Sequence, residues 1–310
     1  MMMSGCGIYG TYERPKGLPV DSLFRDVRQD TAATDTMSLG TMPWRQLFQD
    51  AHLQRLIECG LEKNTDLLVA LLRVDQAKAQ LKAAKLAFLP SLSLSPQGTL
   101  TSVDGNKPTK TYELPVEASW EIDIFGSLRN AKKGSQATLL QQEAYQRAVR
   151  SQLIAMIATD YYALLSLDSQ IEISGSTLDV WREQVRTIEA RLKVGEETEN
   201  ALTQARASVY ELDATHNDLT RQQREAENAL CTLLGLTSRH IERGRLDEQR
   251  MPERLDAGLP VSLLSRRPDV VQAEMTLAAA YYSTGQVRSA FYPSLTLSGS
   301  AGWTNAAGQI

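Results

Sequence analysis

The chain has 310 residues, a formal net charge of -4, 42% apolar residues and 23% charged residues. This is the composition of a folded protein, and no Lys/Arg-rich block marks it as a nucleic-acid binder. No apolar run reaches the ~18 residues of a transmembrane helix. A transmembrane β-barrel stays open, because its strands are short and only alternately apolar.

Met3-Ser4-Gly5-Cys6 has the small-small-Cys form of a bacterial lipoprotein cleavage site. Only five residues precede Cys6, so the apolar stretch of a signal peptide is missing. The expectation is a lipidated Cys6, followed by a polar, Pro-containing linker that completes an N-terminal region of residues 1–43. Cys59 and Cys231 lie in helical patterns as small core residues, and no metal-type cysteine spacing occurs.

Residues 44–61 read as one helix, with Leu53, Leu56, Ile57 and Gly60 on one face. A second helix runs from about Asp66 to Phe88, with Leu67, Ala70, Leu71, Val74, Ala77 and Leu81 as its stripe. Thr65 and Asp66 can cap its start, and Pro90 ends it. A β-hairpin follows over about 91–124, turning at Asp104-Gly105-Asn106-Lys107-Pro108. Its return strand alternates strictly. Tyr112, Leu114, Val116, Ala118, Trp120, Ile122 and Ile124 share one face, and Glu113, Pro115, Glu117, Ser119, Glu121 and Asp123 share the other. In a soluble protein this would be a half-buried strand; in a membrane barrel, the apolar face would meet lipid, the acidic face would meet water, and Tyr112 and Trp120 would sit at the interfaces. Pro115 lacks an amide donor and calls for a bulge or a break.

No Pro occurs between Pro115 and Pro252. A helical pattern runs from about Ser127 to Val194, roughly 100 Å at 1.5 Å per residue, with Gly134 and Gly175 as the expected bends. Leu178, Trp181, Val185, Ile188 and Leu192 recur at 3-4 spacing before Gly195. Leu202, Ala205, Val209, Leu212, His216, Leu219, Gln223, Ala226, Leu230 and Leu233 continue it afterwards. This predicts an antiparallel coiled-coil hairpin with its tip at Gly195. His216 and Gln223 are seam residues that fix register. Gly235 closes the hairpin.

After a connection over 236–265, Arg266-Arg-Pro-Asp269 opens another helix, which Pro293 ends. Here the chain repeats itself. Phe88-Leu-Pro-Ser-Leu-Ser-Leu-Ser95 returns as Phe291-Tyr-Pro-Ser-Leu-Thr-Leu-Ser298, 203 residues on (291 minus 88), with six of eight positions identical. Two large, similar halves are therefore expected, the first over 44–235 and the second beginning at 266. The chain reaches Ile310 soon after the second copy of the strand begins, so the second half is expected to be C-terminally shortened.

The three His (His52, His216, His240) build neither a triad nor a metal site, and no nucleotide or hydrolase fingerprint occurs. No enzyme, cofactor or metal is expected.

The ordered motifs Ser4-Gly-Cys6, Trp44 with Phe48 and Asp50, Asn64-Thr-Asp-Leu67, Phe88-Leu-Pro-Ser-Leu92, Trp120-Glu-Ile-Asp-Ile-Phe-Gly126, Ala229-Leu-Cys-Thr-Leu-Leu-Gly235, Arg266-Arg-Pro-Asp-Val270 and Ala290-Phe-Tyr-Pro-Ser-Leu295 resemble the TolC-like outer membrane factors. The likeness is to the lipoprotein branch that serves resistance-nodulation-division efflux pumps. It implies a mainly α fold with a small β part. Long coiled-coil helices would form a periplasmic α-barrel, and the strands would join a shared transmembrane β-barrel. It further implies a homotrimer, lipid-anchored in the outer membrane of a Gram-negative bacterium and reaching into the periplasm. Its partners would be a periplasmic adaptor, an inner-membrane efflux pump and outer membrane lipid. The adaptor would dock at the tip, here Val194, Gly195, Glu196, Glu197 and Thr198. Glu113, Glu117, Glu121 and Asp123 would be the acidic lumen wall of a passive conduit for exported small molecules. The tip acids and Ala201 depart from the small or apolar tip and the Asp common in relatives. A lipid-anchored periplasmic coiled-coil adaptor or scaffold is the alternative.

Overall fold

The computed structural model describes residues 10–14, 43–102, 108–250 and 267–305. Cys6, most of the linker, the 103–107 turn and part of the inter-repeat connection lie outside the described residues. The elements, in order, are α1 (Trp44–Leu47), α2 (Ala51–Lys63), α3 (Thr65–Leu86), β1 (Ser91–Leu94), β2 (Gln97–Thr101), β3 (Thr109–Ile122), α4 (Ser127–Lys193), α5 (Glu199–Leu233), a 3-10 turn at Leu246–Glu248, α6 (Pro268–Ser289) and β4 (Leu295–Asn305). They form two compact units. One is drawn from 10–14, 71–145 and 267–305, and the other from 43–70 and 146–250.

The second of these units holds a core of Leu53 and Ile57 from α2, Leu67 from α3, Leu153, Ile157, Tyr161, Leu164 and Leu165 from α4, and Leu230, Leu234 and Ile241 near and beyond the end of α5. The single helix expected over 44–61 is instead two, because Asp50 stops it. Its Oδ1 accepts from the His52 amide at 2.7 Å and caps α2. Its Oδ2 takes the Tyr161 hydroxyl and, at 2.8 Å, Gln249 Nε2. Burial alone would raise the Asp50 carboxyl, but these bonds together hold it below the usual carboxylate range. The same contact, added to burial, pushes the Tyr161 phenol well up. The cap of α3 is also a correction. Asn64, not Thr65 or Asp66, accepts from the Leu67 amide at 3.0 Å, while its Nδ2 donates to Leu233 O at 2.9 Å. The α3 stripe is buried as expected at Leu67, Ala70, Val74, Ala77 and Leu81, but Leu71 is exposed.

Helix α4 is one unbroken helix of 67 residues, so the bends expected at Gly134 and Gly175 do not interrupt it. At each Gly an added Cβ would reach only ordinary contact distance from a neighbour. A Cβ on Gly134 would meet Tyr282 Cβ at 3.6 Å, and one on Gly175 would meet His216 Cε1 at 3.5 Å. The α4–α5 hairpin is antiparallel, as its cross-links show. Arg206 reaches Glu189 at 2.6 Å, Ser174 Oγ lies 2.8 Å from His216 Nδ1, and Gln223 Nε2 donates to Asp168 at 2.5 Å. Leu178, Leu202 and Ala205 are buried in its seam, whereas Trp181, expected there, is 38% exposed.

Both hairpin helices end on a left-handed Gly. Gly195 has φ +80° with Glu196 N bonded to Arg191 O, and Gly235 has φ +63° with Leu236 N bonded to Cys231 O. Their surroundings differ. Nothing lies within 4 Å of a Cβ on Gly195, but one on Gly235 would sit 2.8 Å from Lys63 O. Gly195→Ala is therefore expected to cost only the ~1 kcal/mol of left-handed strain. Gly235→Ala adds a backbone clash and is expected to cost about 2 kcal/mol or more. Urea unfolding of the two variants checks this, and equal losses would show that the clash is relieved at no cost.

The α6 helix spans the same 22 positions as α3 shifted by 203 (65 to 268 and 86 to 289). The buried faces nevertheless differ. Helix α6 buries Ala278 and Gly285, whose counterparts Asp75 and Lys82 are exposed on α3.

Candidate membrane and docking surfaces

The four strands form one antiparallel sheet with β3 at its centre, β1 and β2 along one side and β4 along the other. Strand β4 pairs with β3 without slip from Ile122↔Leu295 to Tyr112↔Asn305. On the other side, Ser91↔Ser119 to Leu94↔Val116 and Gln97↔Glu113 to Thr101↔Thr109 keep one register across a gap at Ser95 and Pro96. The gap answers the Pro115 problem. Ser95 N donates to Pro115 O at 3.3 Å, and Pro115 has no N–H to return on that side. The break therefore falls in the neighbouring strand, not in β3. On the β4 side Pro115 faces Gly302, where a Cβ would lie 2.8 Å from Pro115 Cα.

Directly paired residues in an antiparallel sheet share a face, so this register sorts side chains by chemistry. One face carries Glu113, Glu117, Ser119 and Glu121 of β3 with Ser91 and Ser93 of β1, Gln97 of β2, and Thr296, Ser298, Ser300 and Thr304 of β4. The other carries Tyr112, Leu114, Val116, Trp120 and Ile122 with Leu92, Leu94, Leu100, Leu295, Leu297 and Trp303. Both faces are open to solvent in the single chain. Leu92 is 75% and Trp303 76% exposed. An apolar sheet face left uncovered in this way marks a surface made to meet another apolar phase. Tyr112 and Trp120 stand about 27 Å apart along β3, close to the ~25 Å apolar band of an outer-membrane barrel. The Trp120 indole N–H donates to Phe88 O at 3.0 Å.

Asp123 departs from the acidic face to which the sequence assigned it. It lies past the end of β3, its side chain is 8% exposed, and it caps α4. Its carboxylate accepts from Leu128 N at 3.1 Å and Arg129 N at 2.9 Å and pairs with the Arg129 guanidinium at 3.2 Å. Glu113, Glu117 and Glu121 are exposed.

At the hairpin tip, Val194 is 71% exposed and Gly195, Glu196 and Thr198 are exposed, with Glu197 half-buried. Thr198 has a structural task as well, since its Oγ1 accepts from Ala201 N at 3.2 Å to start α5. Cys6 lies outside the described residues.

Sequence reasoning missed an ion network that fastens the 236–250 segment to the hairpin. Arg243, 7% exposed, grips Asp168 with Nε at 2.5 Å and Nη2 at 2.8 Å, and reaches Glu227 with Nη1 at 2.5 Å. His240 Nδ1 also contacts Glu227 at 2.9 Å. Burial alone would raise the Asp168 carboxyl, but the Arg243 and Gln223 hydrogen bonds hold it below the usual range. Nothing in the local sequence of a Gly-containing loop announces a partner 75 residues away.

Residues 56–236 and 259–309 match the family described as outer membrane efflux protein. The chain belongs to this family. Among curated members of comparable similarity, the cation efflux system protein CusC of Escherichia coli (strain K12) is 30% identical over 303 residues, covering 96% of this chain and 65% of CusC. The probable outer membrane lipoprotein SilC of Salmonella typhimurium is 30% identical over 304 residues, with the same shares. Among solved structures, one of CusC aligns at TM-score 0.80 and 28% identity over 97% of this chain and 68% of that one. The open state of the Neisseria gonorrhoeae MtrE outer membrane channel aligns at TM-score 0.82 and 26% identity over 98% and 69%. The mainly helical fold with a small sheet is thus the fold of outer membrane efflux channels. The chain spans about 65% of the length of these curated relatives.

Proposed function

We propose that this efflux-family chain contributes to a passive outer membrane channel of a tripartite efflux system in a Gram-negative bacterium. The observation that carries the reading is the register of the sheet, which gathers every Glu of β3 onto one exposed face and every large apolar side chain onto the other. In a barrel shared by three copies, the apolar face meets lipid and the Glu face meets water. Transport needs no catalytic residue, because the driving energy comes from an inner-membrane pump and the channel supplies a wet path. The organisation proposed is a first repeat over 44–235, a connection over 236–265 and the opening of a second repeat from 266, with Cys6 as lipid anchor. The tip at 194–198 docks a periplasmic adaptor. Its left-handed Gly195 presents backbone with no side chain in the way. A periplasmic scaffold would leave the apolar sheet face with nothing to cover it.

Glu113, Glu117 and Glu121 make this conduit favour cations. Replacing all three with Gln is expected to leave single-channel conductance in a planar bilayer measurable while moving the reversal potential in a salt gradient towards the non-selective value. An unmoved reversal potential would place the Glu face away from the lumen, and an absence of any channel in the unaltered protein would overturn the reading itself.

A further inference from the structure

Three helix–strand junctions meet at one end of the sheet, since β1 starts, β3 ends and β4 starts there. The residues around them, 82–90, 121–133 and 288–294, contain Lys82, Lys85, Arg129, Lys132, Lys133 and Arg288, against two acids, Glu121 on the opposite face of the sheet and Asp123. Asp123 is already engaged by Arg129 and the start of α4. Among the described residues, none of the four lysines takes part in a salt bridge. Lys132 Nζ sits 5.8 Å over the Phe88 ring, and Lys133 Nζ lies 5.6 Å over the Tyr282 ring.

The position of this charge relative to the two faces is fixed by one hydrogen bond. Trp120 belongs to the apolar face, and its indole N–H donates to the Phe88 carbonyl. Lys132 therefore stands over the residue whose carbonyl holds the Trp120 indole of the apolar face. Helices α3 and α4 run antiparallel here, as the Arg73–Tyr145 and Phe88–Lys132 contacts show, so Lys85 comes level with the same turn of α4. At the same end of the sheet, Leu92 of β1 and Phe291 ahead of β4 are exposed, the latter 85%. A ligand satisfying both halves has an anionic phosphate head and acyl tails.

We infer that Lys85 and Lys132, with Phe88 and Trp120, form a seat for the phosphate of an anionic phospholipid in the inner leaflet, its acyl chains lying on the apolar sheet face. The inference rests on the proposal that this face meets lipid. Flexible ammonium stems suit the task, since they can lie along apolar surface while the charge reaches the headgroup.

The test is native mass spectrometry of the protein released from nanodiscs made of equimolar phosphatidylglycerol and phosphatidylethanolamine. The protein is expected to retain phosphatidylglycerol preferentially. The double variant Lys85→Gln/Lys132→Gln should lower that preference about 25-fold, at about fivefold per lysine near a charged headgroup. Lys85→Arg/Lys132→Arg should restore it, and Lys78→Gln, two turns back on α3 and paired with Asp75, should leave it unchanged. Equal retention of both lipids by protein that inserts normally overturns the seat and spares the membrane reading. Displacement of the lipid by inorganic phosphate also overturns it, because the site would then recognise the anion alone. Failure of the unaltered protein to enter nanodiscs at all overturns the membrane reading and the seat with it.

Discussion

Arg243→Ala is expected to destabilise the fold by about 3 kcal/mol, towards the lower end of the cost of breaking a buried ion pair. The reason is what the substitution leaves behind. Glu227, with a side chain 12% exposed, loses a 2.5 Å partner, and Asp168 loses both prongs of a bidentate grip. Asp168 is one-third exposed, so water recovers part of its loss, which sets the lower figure. Arg243→Lys keeps the charge but not the fork and should recover less than half of the stability. The effect also has a pH signature. The Asp168 carboxyl is held below its unfolded value of about 3.9. Its contribution is therefore complete above that pH and is lost as the pH falls through the lower folded value. The gap between wild type and Arg243→Ala, read by urea unfolding with far-UV circular dichroism, should narrow below about pH 4. A gap that stays constant into acid would mean that the Asp168 ion pair contributes nothing.

Val116→Arg should be the most damaging single change in the sheet. Val116 lies in the middle of β3 on the apolar face, paired with Leu94 and Ala301. An Arg near the bilayer midplane costs ~2–4 kcal/mol. Glu117→Arg, one residue along and on the other face, puts the same side chain among Ser93 and Ser300 and should cost little. Folding each variant into phospholipid vesicles, with the inserted fraction followed across a urea series, separates the two. Equal losses would mean that the faces do not divide lipid from water.

What the sequence made readable follows from physical period. Strand alternation is a local property, so the apolar and acidic faces of β3 could be read before any partner strand was known. The repeat of Phe88 to Ser95 likewise located β4, and the long 3-4 pattern located the α4–α5 hairpin with its Gly turn. The misses are those that depend on distant partners. Asp123 continues the alternation of β3 perfectly, and only the helix starting at Ser127 turns it from a face residue into a cap. Asp50 caps α2 through the His52 amide, while the other partners of its carboxylate, Tyr161 and Gln249, lie more than a hundred residues away. Arg243 was hidden for the same reason.

The two 22-residue helices that lead into β1 and β4 share their length and their 203-residue offset, yet they pack through different sides. Asp75 and Lys82 face solvent, while Ala278 and Gly285 are closed over by their neighbours. A duplicated segment of this kind is no longer spare material. Recombination between the two coding copies would carry an acid and a base into buried positions, where unpaired charge is strongly disfavoured. Having diverged in packing while keeping the Pro-Ser-Leu lead into the strand, the copies are committed to separate places, and each must evolve on its own.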